Sequence, residues 1–142
     1  MKTLFKELTA QLETIAELKW IDKDKGQMNF EKPPILFPAA LVTLSLPNTQ
    51  NDNRLQQSGE ARIEVKLCFD WGGNTNHVTP EADRDNSLSY YDIMDAVFNK
   101  LQGWKSSEVT PLERRSLVPL QRPDHYTTEV MVFSSSFRET VS

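Results

Sequence analysis

Leu4, Leu8, Leu12 and Ile15 recur at i, i+4, i+8 and i+11 with Phe5 and Ala16 beside them, while Lys6, Glu7, Gln11, Glu13 and Glu17 fill the other positions. That spacing predicts a surface helix turning one apolar stripe inward. Trp20 and Ile21 then lead into the charged turn Asp22-Lys23-Asp24-Lys25-Gly26, where Gly26 can take the positive φ that other residues resist, and a short strand is expected on each side. Pro33, Pro34 and Pro38 hold the next backbone extended, so the apolar run 39–46 reads as a strand, with Leu44 and Leu46 on the side of Val42 and Pro47 as its end. Residues 48–59, dense in Asn, Gln, Ser and Asp, read as a long solvated loop.

From residue 62 to 69 the pattern alternates: Ile63, Val65, Leu67 and Phe69 point one way, and Arg62, Glu64, Lys66 and Cys68 the other. This predicts a sheet with one face under helices and the other wetter, as antiparallel sheets permit. Residues 70–86 have no periodicity and are rich in turn formers, so they read as a long loop and a candidate contact surface. Ser89 and Asp92 have capping-box spacing, with Leu88 and Ile93 as the staple. The helix they open turns Ile93, Met94, Val97, Phe98 and Leu101 inward and ends near Gln102, with Gly103 as its left-handed cap. Two extended segments, 112–120 and 126–137, flank the turn 121–125. Pro111 and Pro119 confine the first to an edge or bulge, and the second, apolar on both sides, belongs inside the sheet. The expected class is α+β: a mainly antiparallel sheet of four to five strands with two α-helices packed on one face.

The chain has 142 residues, 38% hydrophobic and 25% charged, which suits one domain able to bury its own core. Sixteen Lys and Arg against twenty Asp and Glu give a net charge of −4, which disfavours tight binding to phosphate backbones. Cys68 is the only cysteine, so no intramolecular disulfide can form, and its strand position suggests an inert thiol from a reducing, cytoplasmic compartment. The first residues interrupt their apolar positions with charges, unlike a signal peptide, and no run approaches the ~18 apolar residues of a membrane span.

The candidate chemistry is thin. Glu64 and Lys66 share a strand face and match the short acidic-x-Lys element of Mg²⁺-dependent nucleases, in which a carboxylate holds the metal and the Lys steadies the attacking water. That chemistry needs another upstream carboxylate, and the nearest, Asp52, sits in the polar loop; cross-strand ion pairing is the simpler reading. His77 with Glu81, Asp83 and Asp85 lacks the ligand spacing and central Gly of a Ca²⁺ loop, and reads as a solvated acidic segment before a helix. Cys68 and His125 have no partners in a nucleophile pattern, and Gly72-Gly73 lacks the Lys-Ser/Thr ending of a phosphate loop. Arg114 and Arg115, with Arg122, could touch phosphate, but strand neighbours point to opposite faces, so ion pairs are the simpler reading. Trp71 and Trp104 stand beside glycines at element ends, as caps on the core or interface anchors. No catalytic residue, metal or cofactor is expected.

Several segments together carry a resemblance. The first helix ending in Leu18-Lys19-Trp20-Ile21-Asp22, the Phe37-Pro38-Ala39-Ala40-Leu41-Val42 strand and the alternating strand after Gly59 are joined by the helix from Tyr91 to Trp104 and the closing hairpin from Arg115 to Phe137. This order resembles small tail-completion proteins of long-tailed bacteriophages and prophages, the tail terminator or head-tail joining group. The resemblance implies a ring of identical subunits, typically a hexamer, that stops tail-tube growth and docks the head connector, with no catalysis. It also implies assembly in the bacterial host cytoplasm, residence in the virion tail, and as partners further copies of the chain, the tail tube protein and the connector, with neither membrane nor sequence-specific nucleic-acid binding. A net negative charge would let DNA pass a lumen without sticking. Ring contacts must join unlike patches. The expected suppliers are Asn51 and Arg54, then Trp71, Asp83 and Arg84 in the long loop, and Arg114 at the proline-marked edge. The alternatives are the nuclease on Glu64 and Lys66, or a monomeric adaptor.

Overall fold

The computed structural model describes residues 1–70 and 73–141. Helix α1 (Lys2–Glu13) buries Leu4, Leu8 and Leu12, and Ile15 and Leu18 carry the apolar stripe past its end. Strand β1 (Trp20–Lys23) lies parallel to the beginning of strand β2 (Ala39–Asn53), Trp20 opposite Ala39 and Lys23 opposite Val42. Gly26 takes φ 78° as expected, but the segment after it is a 3₁₀ turn (Gln27–Asn29) and not a second short strand. The buried Gln27 side chain explains this: its amide donates to the Lys23 carbonyl at 3.0 Å and its oxygen accepts the Lys25 N–H at 2.7 Å, folding the turn onto itself.

Contrary to expectation, strand β2 does not stop at Pro47. It passes the proline with a register shift between Ser45 and Asn48, a bulge where a residue lacking an N–H is tolerated, and pairs on to Asn53 with strand β3 (Gln56–Asp70). The supposed loop 48–59 is therefore a long β-hairpin. Its polar composition reads as loop locally, but strand β5 (Tyr126–Thr140) pairs with β3 along its whole length, Gln56 opposite Thr140 and Asp70 opposite Tyr126.

Residues 70–86 also depart from the loop expected there, because they contain most of a short helix α2 (Glu81–Ser87) just before helix α3 (Tyr90–Leu101). The described residues thus form three α-helices, not two. The capping box does not form. Ser89 has helical φ and ψ, and its hydroxyl donates to the Asn86 carbonyl at 2.8 Å, because the chain arrives already coiled from α2. At the other end, Gly103 has φ 76° and its N–H reaches the Leu112 carbonyl at 2.8 Å.

With strand β4 (Glu113–Leu120) the sheet order is β1-β2-β3-β5-β4, antiparallel except at β1–β2. As the pattern predicted, β5 is interior and β4 is an edge with a bulge at Arg114–Ser116. Helices α1 and α3 cover one face, over Ala40, Val42, Ile63, Val65, Leu67, Phe69, Met131, Phe133 and Phe137. Each fully buried large side chain here contributes roughly 1.5–3 kcal/mol of transfer free energy. The opposite face is only partly covered: Ala39, Leu41 and Cys68 pack with Met28, Ile35 and Phe37 from the segment between β1 and β2.

Candidate assembly surfaces

Beyond Ala61 and Phe137 no apolar side chain of β2, β3 or β5 is buried, so these strands project past the core as a three-stranded arm. Polar side chains lace it: Asn48 donates to Glu60 at 2.9 Å, Gln57 to Asn51 at 3.1 Å, and Ser58 to Asp52 at 2.8 Å. At the tip Asn53 accepts the Leu55 N–H at 2.8 Å, and the Val141 N–H bonds the Leu55 carbonyl at 2.7 Å. Arg54 is exposed there, and with Asn51 and Glu139 it lines an open cleft of about 460 Å³. At 58% and 66% exposure, Leu55 and Val141 give this polar tip two apolar contacts not foreseen from the sequence.

The other candidates lie elsewhere. Asp83 and Arg84 are on α2, where Glu81 and Asp83 in the first turn suit the helix dipole and the Ser87 hydroxyl donates to the Asp83 carbonyl at 2.9 Å. Gly73 lies against Ser87. That places α2 near the Asp70 end of β3, roughly 45 Å from the arm tip by strand rise. Trp71 lies outside the described residues. His77 is exposed.

Arg114, on the edge strand, rests its guanidinium 4.1 Å from the centroid of the Phe98 ring, and its backbone N–H donates to Gln102 Oε1 at 2.8 Å. Arg115 points to the other face, with Nε donating to Ser134 Oγ at 2.6 Å and a guanidinium nitrogen 3.0 Å from Glu113. Arg122 pairs with Asp124 at 2.6 Å and donates to the Met28 carbonyl at 2.8 Å, pinning the segment that covers the second sheet face. The three arginines are thus engaged separately. The predicted surface residues fall into three regions, the arm, the α2 end and the β4 edge; the base of the arm, at Gly59 and Glu60, shares an open cleft with Glu113 and Arg115 of β4.

Glu64 and Lys66 do share a face, but Lys66 Nζ sits 2.8 Å from Asp24 Oδ2. Burial works against ionisation of Asp24, yet the Lys66 hydrogen bond, the Gly26 N–H and the Lys66 charge outweigh it and hold the carboxyl below its ordinary value. In the sequence Asp24 reads only as part of a charged turn; nothing local marks its pairing with a strand 42 positions later. Asp52, the carboxylate considered for a nuclease site, is on the arm and accepts from Ser58. Among the described residues no group of three or more His, Cys, Asp or Glu comes together to hold a metal. Cys68 is buried, and desolvation pushes its thiol up to about 12, consistent with an inert residue. No helix among the described residues is long and apolar enough to cross a membrane.

No protein-family model matches the chain, and no curated protein sequence does. Among solved structures, the fold is similar to that of a chain in the virion of a native gene transfer agent (GTA) particle, at 13% identity and a TM-score of 0.55, with 96% of each chain covered. The likeness extends over almost the whole of both chains, so the two share the overall fold.

Proposed function

We propose that this chain is a structural protein of a phage-type virion, a tail terminator or head-tail joining subunit that forms a ring, ends tail-tube growth and docks the head connector. The observation that carries the reading is the shared fold over 96% of both chains with a component of a gene transfer agent virion. The element order that resembles tail-completion proteins supports it from the sequence side. The surface is also suited to assembly: a projecting arm with exposed Leu55 and Val141, and open strands at both sides of one sheet. A ring uses such unlike patches head to tail. In this reading the protein assembles in the bacterial host cytoplasm and resides in the virion tail, and its partners are further copies of itself, the tail tube protein and the connector.

The intact mass of the purified protein, alone and on tail tubes, tests the ring: a discrete multiple of the subunit mass is expected, and a monomer in both settings would count against it. Incubation with plasmid and Mg²⁺ tests the rival nuclease. Under the structural reading the plasmid survives, whereas reproducible cleavage abolished by Glu64→Ala would replace that reading with metal-dependent hydrolysis.

A further inference from the structure

The two sides of the sheet are unequal and complementary. On one side β1 covers only residues 39–42 of β2, and the Asp24 N–H donates to the Val42 carbonyl. From Thr43 to Asn53 the outer edge of β2 has no partner strand among the described residues. On the other side β4 is an edge along its full length, where the Gln102 side chain takes the Arg114 N–H. Open strand edges are pairing templates unless something covers them.

An apolar groove runs beside the free part of β2. It has a volume of about 450 Å³ and is lined by Phe5, Val42 and Leu44, with Lys2, Lys6 and Lys23 at its rim. Val42 and Leu44 belong to the helix-side face, so the groove opens on that face of the sheet. On β4, the residue turned to the same face next to the edge is Leu117, opposite the core residue Met131 and 37% exposed. On α3, Tyr91, Asp95 and Phe98 stand at i, i+4 and i+7, on one stripe; Phe98 carries the Arg114 guanidinium of β4, and Asp95 and Tyr91 are exposed. One flank therefore offers an apolar slot rimmed by three lysines, and the other a part-exposed Leu117 on the edge strand with an exposed Asp95 on the helix stripe that carries Phe98.

Direction and length also agree. Antiparallel steps from β2 to β3, β3 to β5 and β5 to β4 leave β2 and β4 pointing opposite ways. Copies related by rotation about an axis along the strands would then bring β4 of one against β2 of the next in antiparallel pairing. The eight residues of β4 fit within the free positions of β2, opposite residues 43–50, when Leu117 stands opposite Leu46.

Building on the ring reading above, we propose that a second copy of this chain occupies the groove: its β4 adds to the outer edge of β2, continuing the sheet across the subunit boundary. Leu117 of the incoming copy stands opposite Leu46 and packs into the Leu44 end of the slot, and its Asp95 meets Lys2 and Lys6. Because β4 and the groove are different patches, the contact is heterologous and can close a ring. Pro119 near the end of β4 has no N–H, so that position adds no donor to the joint.

The test joins the edges covalently. Leu117→Cys combined with Leu46→Cys, or with Leu44→Cys as the diagonal same-face neighbour, should give on mild oxidation a ladder of covalent multimers ending at the ring size, while each single variant gives none. Charge swapping supplies a readout independent of oxidation. Lys2→Glu with Lys6→Glu, and separately Asp95→Lys, should each weaken assembly by about tenfold, and combining them should restore most of it. If the wild type forms rings by intact mass but neither cysteine pair cross-links and the charge variants assemble normally, the edge-to-edge joint is wrong and the ring stands. If the wild type stays monomeric alone and on tail tubes, both fall.

Discussion

Gly59 sits where β3 enters the arm, opposite Thr49 on β2 and Phe137 on β5. The bulge at Pro47 brings the Asn48 carbonyl over it. A Cβ added at Gly59 would be 3.0 Å from both the Asn48 carbonyl carbon and the Thr49 Cα, and closer still to the Asn48 oxygen, all of them backbone atoms that cannot swing aside. Gly59→Ala must therefore spread β2 from β3 by about 1 Å, an overpacking strain of roughly 1–3 kcal/mol. For a chain of this length that lowers the thermal midpoint by about 3–10 °C. The strain is local, so amide exchange separates it from a general loss of stability. Residues 48–53 and 56–60 should lose protection while the β3 segment 63–69 keeps its own, as expected when the weakly packed end opens first. A Gly59→Ala variant with an unchanged midpoint and unchanged arm protection would show that β2 and β3 do not approach there as described, and that residues 48–59 behave as the loop their composition suggests.

Leu8→Ala, at a fully buried position of α1, should cost about 2–5 kcal/mol in urea unfolding, and a cost below about 1 kcal/mol would place α1 off the sheet. Asp24→Asn should cost about 1.5–3 kcal/mol at neutral pH by leaving Lys66 without its charged partner. Since the folded carboxyl of Asp24 lies below its ordinary value, the wild type holds this advantage above the unfolded value and loses it as pH falls through the folded one; urea titrations of the two proteins should converge in acid. Glu129 carries the opposite sign. Desolvation in the sheet raises its carboxyl, so its stabilising contribution is present in acid and lost as pH rises through the folded value. Glu129→Gln should thus be more stable than wild type at neutral pH, with the gap closing in acid, and a gap that persists in acid would contradict the assignment.

The parts of the fold legible in the sequence are those where one side chain in two meets a packed layer. Ile63, Val65, Leu67 and Phe69 announce β3 because all four are buried under the helices, and Leu4, Leu8 and Leu12 announce α1 because their stripe meets the same core. The arm is not legible. Its Asn, Gln, Ser and Gly residues have no hydrophobic period, and what makes them strands is pairing with β5, some eighty positions away in sequence. The capping box at Ser89 fails for a related reason: α2, only seven residues long, is too short to show a period, yet it sets the backbone of the residue expected to cap α3. Of the candidate surface, Arg114 is placed at an edge by the prolines beside it. The groove is invisible because Phe5 from α1 and Leu44 from β2 each read as ordinary core positions. Only the early end of β1 leaves them partly open.

Deleting this coding sequence from the genome that carries it, and imaging any particles produced, tests the proposed role most directly. The account predicts tails of unregulated length that are not joined to capsids, restored by supplying the protein in trans. Capsid-joined tails of normal, uniform length in its absence would contradict it.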